Sequence, residues 1–286
     1  MTDARMYRIA LVQYPIQGNH TLPEVMRKIE EYVVQARASG AGLVVLPELA
    51  ILDTSPIEAS VSDFEVADGI ARRLAGDYVT EVLRICRRHD TAVLAGSLPE
   101  STGSGLANTA ILGFPDGRVV RQTKIFLTPW DKSARIQPGS SLRVFEAPWG
   151  RTVILVCYDA EFPVLSEALT RAQPEVILIP SMTESEHGFF RVRWTAQARA
   201  IEHHAYVGIA GTVGRPSPSW EHHGQGVLLG PQEGAFAGVL ASGPVNQPGM
   251  VIGELNLEAL RMSRKRSGFY PALDESERVG PIAVER

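Results

Sequence analysis

Cysteine is scarce in this sequence of 286 residues, which contains only Cys86 and Cys157. Two isolated cysteines provide neither a disulfide framework nor a zinc-ligand spacing, so a reducing cytoplasm is the expected compartment. Histidine is also sparse, with seven residues, and these form no H-E-x-x-H or H-x-H arrangement. We therefore expect no catalytic metal ion.

Long apolar runs and a strong charge of either sign are absent as well. No run approaches the ~20 residues that a membrane-spanning helix needs, and the apolar stretch at residues 9–12 is too brief for a signal peptide. The net charge of −4 gives no reason to expect nucleic acid or an anionic membrane as a partner. A composition with 44% hydrophobic residues is typical of a soluble globular protein.

The apolar pattern that is present predicts the same order of elements twice, β-α-β-α-β-β. Both halves begin with a buried strand and continue through a short apolar strand that ends at proline plus a polar residue. In the first half the elements are expected at residues 7–15, 22–36, 43–48, 65–88, 91–96 and 108–123. In the second half they are expected at residues 151–157, 164–172, 176–181, 190–203, 205–213 and 225–229.

Two such units define the expected fold class, which is α/β. Each unit forms a mixed sheet with helices on one face, and its bare face must be buried. Packing the two bare faces together gives a four-layer α-β-β-α sandwich with a pseudo-twofold axis. We expect this domain to cover residues 1–260. The basic, proline-containing residues 261–286 are expected to form an arm on this subunit or on a partner.

Three polar residues lie where buried strands or hairpins end, which is where ligand sites of such sheets collect: Glu48, Lys124 and Cys157. A thiolate is a nucleophile, a carboxylate can take and return its proton, and an ammonium can stabilise a developing oxyanion. The backbone N–H of Tyr158, directly after the cysteine, would be a second oxyanion donor. Each residue also has a structural interpretation, because Glu48 could cap a helix, Lys124 could be solvated and Cys157 could be core.

Five motifs distinguish between these interpretations, because together they resemble the nitrilase superfamily, the carbon–nitrogen hydrolases, in order and spacing. The resemblance covers nearly the whole chain, from about residue 7 to residue 257. The motifs are Leu46-Pro47-Glu48, Asn108-Thr109-Ala110, Lys124-Ile125-Phe126-Leu127-Thr128-Pro129, Cys157-Tyr158-Asp159-Ala160-Glu161-Phe162-Pro163 and Ala198-Arg199-Ala200-Ile201-Glu202.

This resemblance implies roles for the three residues: Glu48 as general base, Lys124 as oxyanion stabiliser and Cys157 as nucleophile. It also implies a site without metal or organic cofactor, and self-association as a homodimer or higher homo-oligomer. Members of the family often carry a further Glu shortly after the lysine motif. The matching position here is Asp131, a shorter carboxylate whose alternative interpretation is a loop cap.

Several other residues are candidates for substrate binding. Glu161 lies four residues past the cysteine, where it can meet a substrate amino group or form a structural ion pair, for instance with Arg199. Trp130 and Phe162 can line the pocket or simply pack, and the same holds for three aromatic residues nearby. These are Phe189, Phe190 and Trp194.

The expected function is hydrolysis of a non-peptide carbon–nitrogen bond in a small linear amide, through a thioester, to give an acid plus ammonia or amine. A nitrilase or an N-carbamoyl amine hydrolase with the same site is an alternative. A non-catalytic scaffold that kept the fold is an alternative of a different class. Specificity is expected to reside in the loops at residues 52–64, 130–141, 183–190 and 215–224.

Overall fold

The computed structural model describes residues 6–57, 61–234 and 236–277 of the protein. Its first half follows the order predicted from the sequence, with a split second helix and with the hairpin expected over residues 108–123 present. The elements are β1 (Tyr7–Pro15), α1 (Leu22–Ala38), β2 (Leu43–Leu46), α2 (Asp63–Arg73), α3 (Ala75–His89), β3 (Ala92–Thr102), β4 (Gly105–Gly113) and β5 (Val119–Thr123).

The second half repeats this order after a connecting segment that contains α4 (Pro129–Ser133) and β6 (Phe145–Ala147). The repeated elements are β7 (Gly150–Ile154), α5 (Pro163–Ala172), β8 (Val176–Ser181), α6 (Glu186–Glu202), β9 (Tyr206–Ser217), β10 (Trp220–His222) and β11 (Val227–Leu229). Four further elements follow, namely β12 (Val239–Ser242), β13 (Gly249–Leu255), α7 (Leu257–Arg266) and α8 (Pro271–Glu277).

The strands form one curled sheet with the order β5-β4-β3-β2-β1-β9-β8-β7-β6. The two halves are equivalent in pairing, because β4 runs antiparallel to β3 and β11 runs antiparallel to β9. They join where the end of β1 pairs in parallel with β9, residue Gln13 lying opposite Gly211. This junction places the carboxyl ends of the parallel strands of both halves at one edge.

Three apolar layers separate the sheet halves and the helices. Alternate residues of β1 point to different layers, with Ala10 and Val12 towards α1 and α3, and Ile9 and Leu11 towards the second half of the sheet. A third layer lies between the second half and the helices α5 and α6. Three cores between four layers confirm the α-β-β-α sandwich.

The prediction of one helix over residues 65–88 was wrong in detail. The structure has two helices, α2 and α3, with Leu74 between them at a φ of −119°. The residue is still close to helical, so the apolar pattern continues through it and gives no sign of a break. Both helices pack on β3 and contact β4, but α2 also contacts α4 whereas α3 also contacts α1.

The C-terminal segment is helical where the structure describes it. The predicted boundary at residue 260 falls inside α7, whose residue Arg264 donates hydrogen bonds to the backbone carbonyls of Pro174, His203 and His204. The division into a domain and an arm therefore remains a prediction, and residues 278–286 lie outside the described chain. Within the described residues no helix is both long and apolar enough to cross a bilayer.

Candidate active site

The three residues singled out in the sequence meet at the edge where the parallel strands end. Glu48 lies two residues beyond β2, Lys124 directly follows β5, and Cys157 lies three residues beyond β7, whereas the sequence predicted it as the last residue of that strand. Their exposed fractions are 2%, 1% and 3%. All three side chains are thus buried, and all three line one cavity.

The backbone of Cys157 is held in the left-handed region, with a φ of +49°. This conformation is costly for a residue with a Cβ atom and occurs preferentially at functional sites. It ends the extended backbone and begins a short 3-10 helix, Cys157–Glu161. Because of this turn, the sulfur is directed into the cavity and not between the strands.

A glycine shapes the corresponding turn at Glu48. Gly96 in β3 has a φ of +68°, and a Cβ atom at this position would overlap the carbonyl oxygen of Pro47. The neighbouring strand can therefore approach the backbone that carries Glu48 only because residue 96 is glycine. Leu49 next in sequence also has a positive φ, of 51°.

The Lys124 ammonium lies between two carboxylates. Its Nζ atom is 2.7 Å from Glu48 Oε1 and 2.7 Å from Asp131 Oδ2. Asp131 is fully buried in α4, where its Oδ2 atom also accepts hydrogen bonds from the backbone and hydroxyl of Thr128. Asp131 is thus a helix cap and a partner of Lys124 at once.

Asn108 joins the two carboxylates and was not identified from the sequence as a site residue. Its Nδ2 atom donates to Glu48 Oε1 at 3.0 Å and to Asp131 Oδ1 at 3.1 Å. Its backbone carbonyl also accepts from the N–H of Lys124 at 2.8 Å. The Asn108-Thr109-Ala110 motif was the available signal, but only the folded chain shows what the amide contacts.

Burial and the neighbouring charges shift the pKa values of these three groups in different directions. Burial raises the pKa of Glu48, and the nearby Asp131 carboxylate adds to the rise although Lys124 opposes it. Burial acts on Asp131 in the same sense, but Lys124 and Thr128 outweigh it and lower the pKa of Asp131. Burial alone would lower the pKa of Lys124, yet the two carboxylates raise it above its ordinary value.

Two carboxylates and one ammonium therefore share a buried site with an excess of one negative charge. Asp131 stays ionised and Lys124 stays protonated, so Glu48 is the group that can accept a proton. Environments that push the pKa values of two carboxyl groups apart are the usual sign of an assigned acid–base role. Glu48 thus has the properties of a general acid–base group.

The sulfur of Cys157 has two polar neighbours besides the charged cluster. Ser181 Oγ donates to Sγ at 3.3 Å, and the thiol itself donates to the carbonyl of Met182 at 3.4 Å. Burial and then the Glu48 carboxylate raise the pKa of the thiol well above its usual range. The resting cysteine is therefore a thiol, and a base must take its proton when it attacks.

A third buried carboxylate, Asp159, connects the lysine segment to the cysteine turn. It accepts hydrogen bonds from the backbone N–H groups of Ile125 at 3.1 Å, Phe126 at 2.8 Å and Val156 at 3.1 Å. Burial raises the pKa of Asp159 to about 7 against these backbone donors. The sequence placed Asp159 in the cysteine motif but did not indicate this connection.

The cavity above the sulfur has a volume of about 300 Å³ and is lined by Trp130, Tyr158 and Glu161 among others. Glu161 Oε2 lies 3.0 Å from the guanidinium of Arg191 in α6. The suggested ion pair of Glu161 with Arg199 is wrong. Arg199 lies further along α6 than Arg191, and it pairs with Glu202. Arg191 also lines the cavity.

Phe162 is not placed among the residues that line the cavity. Its ring stacks on Phe126 with the centroids 3.5 Å apart and meets Tyr158 edge to face. These ring contacts direct Phe162 away from the cavity, so the predicted substrate contact is corrected to a packing role. The rings of Phe189, Phe190 and Trp194 form a separate row along α6, also outside the cavity lining.

Two of the four predicted specificity loops reach the cavity. Residues 130–141 contribute Trp130, and residues 183–190 contribute Thr183, Glu184, Ser185 and Gly188. The loop at 215–224 does not line the cavity but contacts a residue that does, since Trp220 Nε1 donates to Glu184 Oε1 at 3.1 Å. The loop at 52–64 contributes no lining residue in its described part, and its residues 58–60 lie outside the described chain.

Among the described residues no three or more His, Cys, Asp or Glu side chains are grouped so that they could hold a metal ion. The site consists instead of Glu48, Lys124, Asp131 and Cys157 with the amide of Asn108. A buried thiol beside an acid–base carboxylate and an ammonium is a set of groups suited to attack on a carbonyl or nitrile carbon.

Comparison with known proteins identifies the family. The family model described as carbon–nitrogen hydrolase matches residues 8–265. The chain therefore belongs to the carbon–nitrogen hydrolase family, and the resemblance to the nitrilase superfamily is confirmed. The protein is an enzyme that hydrolyses carbon–nitrogen bonds.

The individual relatives share less than 30% sequence identity with this chain in the three comparisons that follow. A probable hydrolase of Bacillus subtilis, YhcX, is 28% identical over 267 residues, which are 90% of this chain and 51% of that protein, so the chain spans about half of its length. A deaminated glutathione amidase of Synechocystis is 27% identical over 278 residues, covering 91% of this chain and 95% of that one. The crystal structure of Nit3 of Saccharomyces cerevisiae has the same fold, with a TM-score of 0.76 and 19% identity over 92% of this chain and 95% of that chain.

Proposed function

We propose that the protein hydrolyses a small linear amide through a thioester on Cys157, giving an acid plus ammonia or amine. The observation that carries this proposal is the contact of Lys124 with both Glu48 and Asp131 beside the Cys157 thiol. The relation to a deaminated glutathione amidase supports an amide as the substrate class.

In the first step, Glu48 takes the proton of the Cys157 thiol while the sulfur attacks the amide carbon. The carbonyl electron pair moves to the oxygen, and the Lys124 ammonium and the Tyr158 N–H stabilise the resulting oxyanion. The Tyr158 N–H is available because it belongs to the first turn of the short 3-10 helix, where backbone donors lack helical acceptors. The tetrahedral centre then collapses, the carbon–nitrogen bond breaks, and the leaving nitrogen takes the proton from Glu48.

In the second step, the thioester is hydrolysed by water. Glu48 takes a proton from water as its oxygen attacks the acyl carbon, and Lys124 again stabilises the oxyanion. The carbon–sulfur bond breaks with its electron pair on Cys157, which regains a proton from Glu48. Asp131 stays charged throughout and holds Lys124 in place.

The cavity supports a small substrate. Its volume of about 300 Å³ is at the lower end of the range for ligand sites. Glu161 and Arg191 at its wall are paired with one another, so an amine-binding role for Glu161 requires a substrate that competes with Arg191. Trp130 and Tyr158 provide aromatic surface around the acyl chain.

A nitrile or an N-carbamoyl amine is the alternative substrate for the same groups, since the thiol can attack either carbon. A non-catalytic scaffold is disfavoured by the site itself. Burying an ammonium between two carboxylates carries a desolvation cost that an apolar core would avoid. This costly arrangement, next to a cysteine with a left-handed backbone conformation, favours a catalytic function.

The test is a panel of small amides, N-carbamoyl amines and nitriles scored for release of ammonia or amine. We expect the wild-type protein to turn over amides, and Cys157→Ala and Cys157→Ser to lose this activity while they stay folded. Cys86→Ala is the matched control, because Cys86 is equally buried but lies in α3, away from the site. Full activity in Cys157→Ala would contradict the proposal.

We also propose that the protein acts as a cytoplasmic homodimer or higher homo-oligomer. Large apolar side chains on the described surface support self-association, namely Trp194 at 66% exposure, Val164 at 57% and Phe269 at 79%. Light scattering of wild-type protein and of Trp194→Glu tests this, and a wild-type monomer at micromolar concentration would contradict it.

A further inference from the structure

We propose that Ser181 is a further catalytic residue, whose hydroxyl donates a hydrogen bond to the sulfur of Cys157 and stabilises it whenever it carries negative charge. This rests on the proposed role of Cys157 as nucleophile. Ser181 is the last residue of β8 and is 5% exposed. Its Oγ atom lies 3.3 Å from Sγ.

The hydroxyl of Ser181 is directed at the sulfur of Cys157. Among the described residues, Cys157 Sγ is the single hydrogen-bond partner of Ser181 Oγ. By contrast, the buried hydroxyl of Thr152 on the neighbouring strand donates to the backbone carbonyl of Gly150 at 2.8 Å. A neutral sulfur is a weak acceptor, whereas a thiolate is a much better one.

The position of Ser181 separates it from substrate binding. It is absent from the lining of the substrate cavity, although its neighbours Cys157 and Met182 are part of it. It borders instead a separate small void of about 10 Å³, together with Ile209 and Gly211. The hydroxyl thus contacts the sulfur without lining the cavity, whereas Glu48 and Lys124 line the cavity together with Cys157.

This contact serves both steps of the reaction. During attack, Glu48 removes the thiol proton and the Ser181 hydroxyl donates to the sulfur, so charge on sulfur is favoured. During hydrolysis of the thioester, the electron pair of the breaking carbon–sulfur bond moves to the sulfur, and the same hydroxyl stabilises the leaving thiolate. No proton leaves Ser181 in either step.

The test is the rate of alkylation of Cys157 by iodoacetamide as a function of pH, followed by mass spectrometry of its peptide. A hydrogen bond to a charged group is worth about tenfold or more in an equilibrium, so Ser181→Ala should lower the thiolate fraction about 10-fold. The remaining thiolate is more basic and more nucleophilic, so the alkylation rate should fall about 3-fold at a given pH. Turnover should fall about 10-fold in kcat, with KM nearly unchanged because Ser181 does not face the substrate.

Two control variants separate the hydroxyl from packing. Ser181→Thr keeps the hydroxyl and should retain at least half of the alkylation rate. Thr152→Val removes another buried hydroxyl from an adjacent strand and should leave the alkylation profile unchanged. Equal alkylation of wild type and Ser181→Ala would overturn the inference, and so would a Ser181→Thr variant as slow as Ser181→Ala.

The alkylation readout is independent of the substrate. If no amide is hydrolysed while Ser181→Ala still slows alkylation, the proposed amidase function fails and the contact between Ser181 and the sulfur stands. If amides are hydrolysed and alkylation is unaffected by Ser181→Ala, the proposed function stands and the role of Ser181 fails.

Discussion

The Lys124 ammonium lies 2.7 Å from the Asp131 carboxylate, a side chain one methylene shorter than the Glu that the family resemblance suggested for this position. The shorter side chain reaches Lys124 because Asp131 belongs to a helix, α4, whose start is capped by Thr128. Helix and lysine are thereby connected through one carboxylate. The place of Asp131 beside Lys124 follows from this geometry, and its role in catalysis can be tested.

Asp131→Asn should lower kcat about 10²-fold, since a mispositioned oxyanion donor costs at least that much. The substitution should also shift the acid limb of the pH–rate profile to lower pH, because the charge of Asp131 helps to raise the pKa of Glu48. Kinetics across pH check both effects. An acid limb that moves to higher pH would contradict this account of the cluster.

A matched control for Asp131→Asn is Asp68→Asn. Asp68 pairs with Arg72 on the surface of α2 at 2.7 Å, and an exposed pair of this kind contributes little to stability. We expect this variant to keep wild-type kinetics at every pH. A comparable loss in both variants would assign the effect to general destabilisation.

In the wild-type protein, activity should fall with decreasing pH at a value above 4.5, the ordinary pKa of a Glu side chain. Burial raises the pKa of Glu48, and the carboxyl must be ionised to take the thiol proton. Protonation therefore removes the base at a higher pH than for an exposed Glu. The profile of kcat/KM reports this pKa in the free enzyme, and a limb at or below pH 4.5 would show that Glu48 is not the base.

Asp159→Asn should reduce kcat by at least about 10-fold while KM changes little. In the wild type, the Asp159 carboxylate accepts from the backbone N–H groups of Ile125, Phe126 and Val156. The amide of the variant keeps one acceptor oxygen, but its own N–H groups would face some of these donors. The segments that carry Lys124 and Cys157 are then no longer held in position by the same carboxylate. Small misplacements of reacting groups reduce rates strongly. Steady-state kinetics test this, and a large rise in KM with unchanged kcat would point to a substrate contact instead.

Gly96→Ala should destabilise the protein by more than about 2 kcal/mol, since a left-handed φ already costs roughly 1–2 kcal/mol for alanine and the added Cβ atom would overlap the Pro47 carbonyl. The displaced backbone carries Glu48, so activity should fall as well. Urea denaturation provides the free energy of unfolding. Gly76→Ala in α3 is the control, because its Cβ atom meets no neighbour and we expect a neutral or slightly stabilising effect there.

Sequence reasoning succeeded where local pattern determines structure. The buried strands, the helices between them and the four layers follow from apolar periodicity. Glu48, Lys124 and Cys157 became candidates because each lies at or just beyond the end of a strand or hairpin. The break at Leu74 was missed, because the apolar pattern continues through this residue and its backbone stays close to helical.

Contacts between distant residues were harder to predict. Asn108 bonds a carboxylate 60 residues away in the sequence, and Asp159 bonds backbone groups 33 and 34 residues away. Nothing in the local pattern around either residue encodes the partner. The same reason explains Phe162, whose orientation depends on Phe126 and not on the helix turn that carries it.

The central claim is that amide hydrolysis proceeds through a thioester on Cys157. The most direct measurement is acid quenching of the enzyme at a series of times during turnover of the best amide, followed by mass spectrometry of its cysteine peptides. We predict an acyl group, equal in mass to the substrate without its amine, on the peptide of Cys157 and none on that of Cys86. Steady turnover with no acyl group on Cys157 at any quench time would contradict the account.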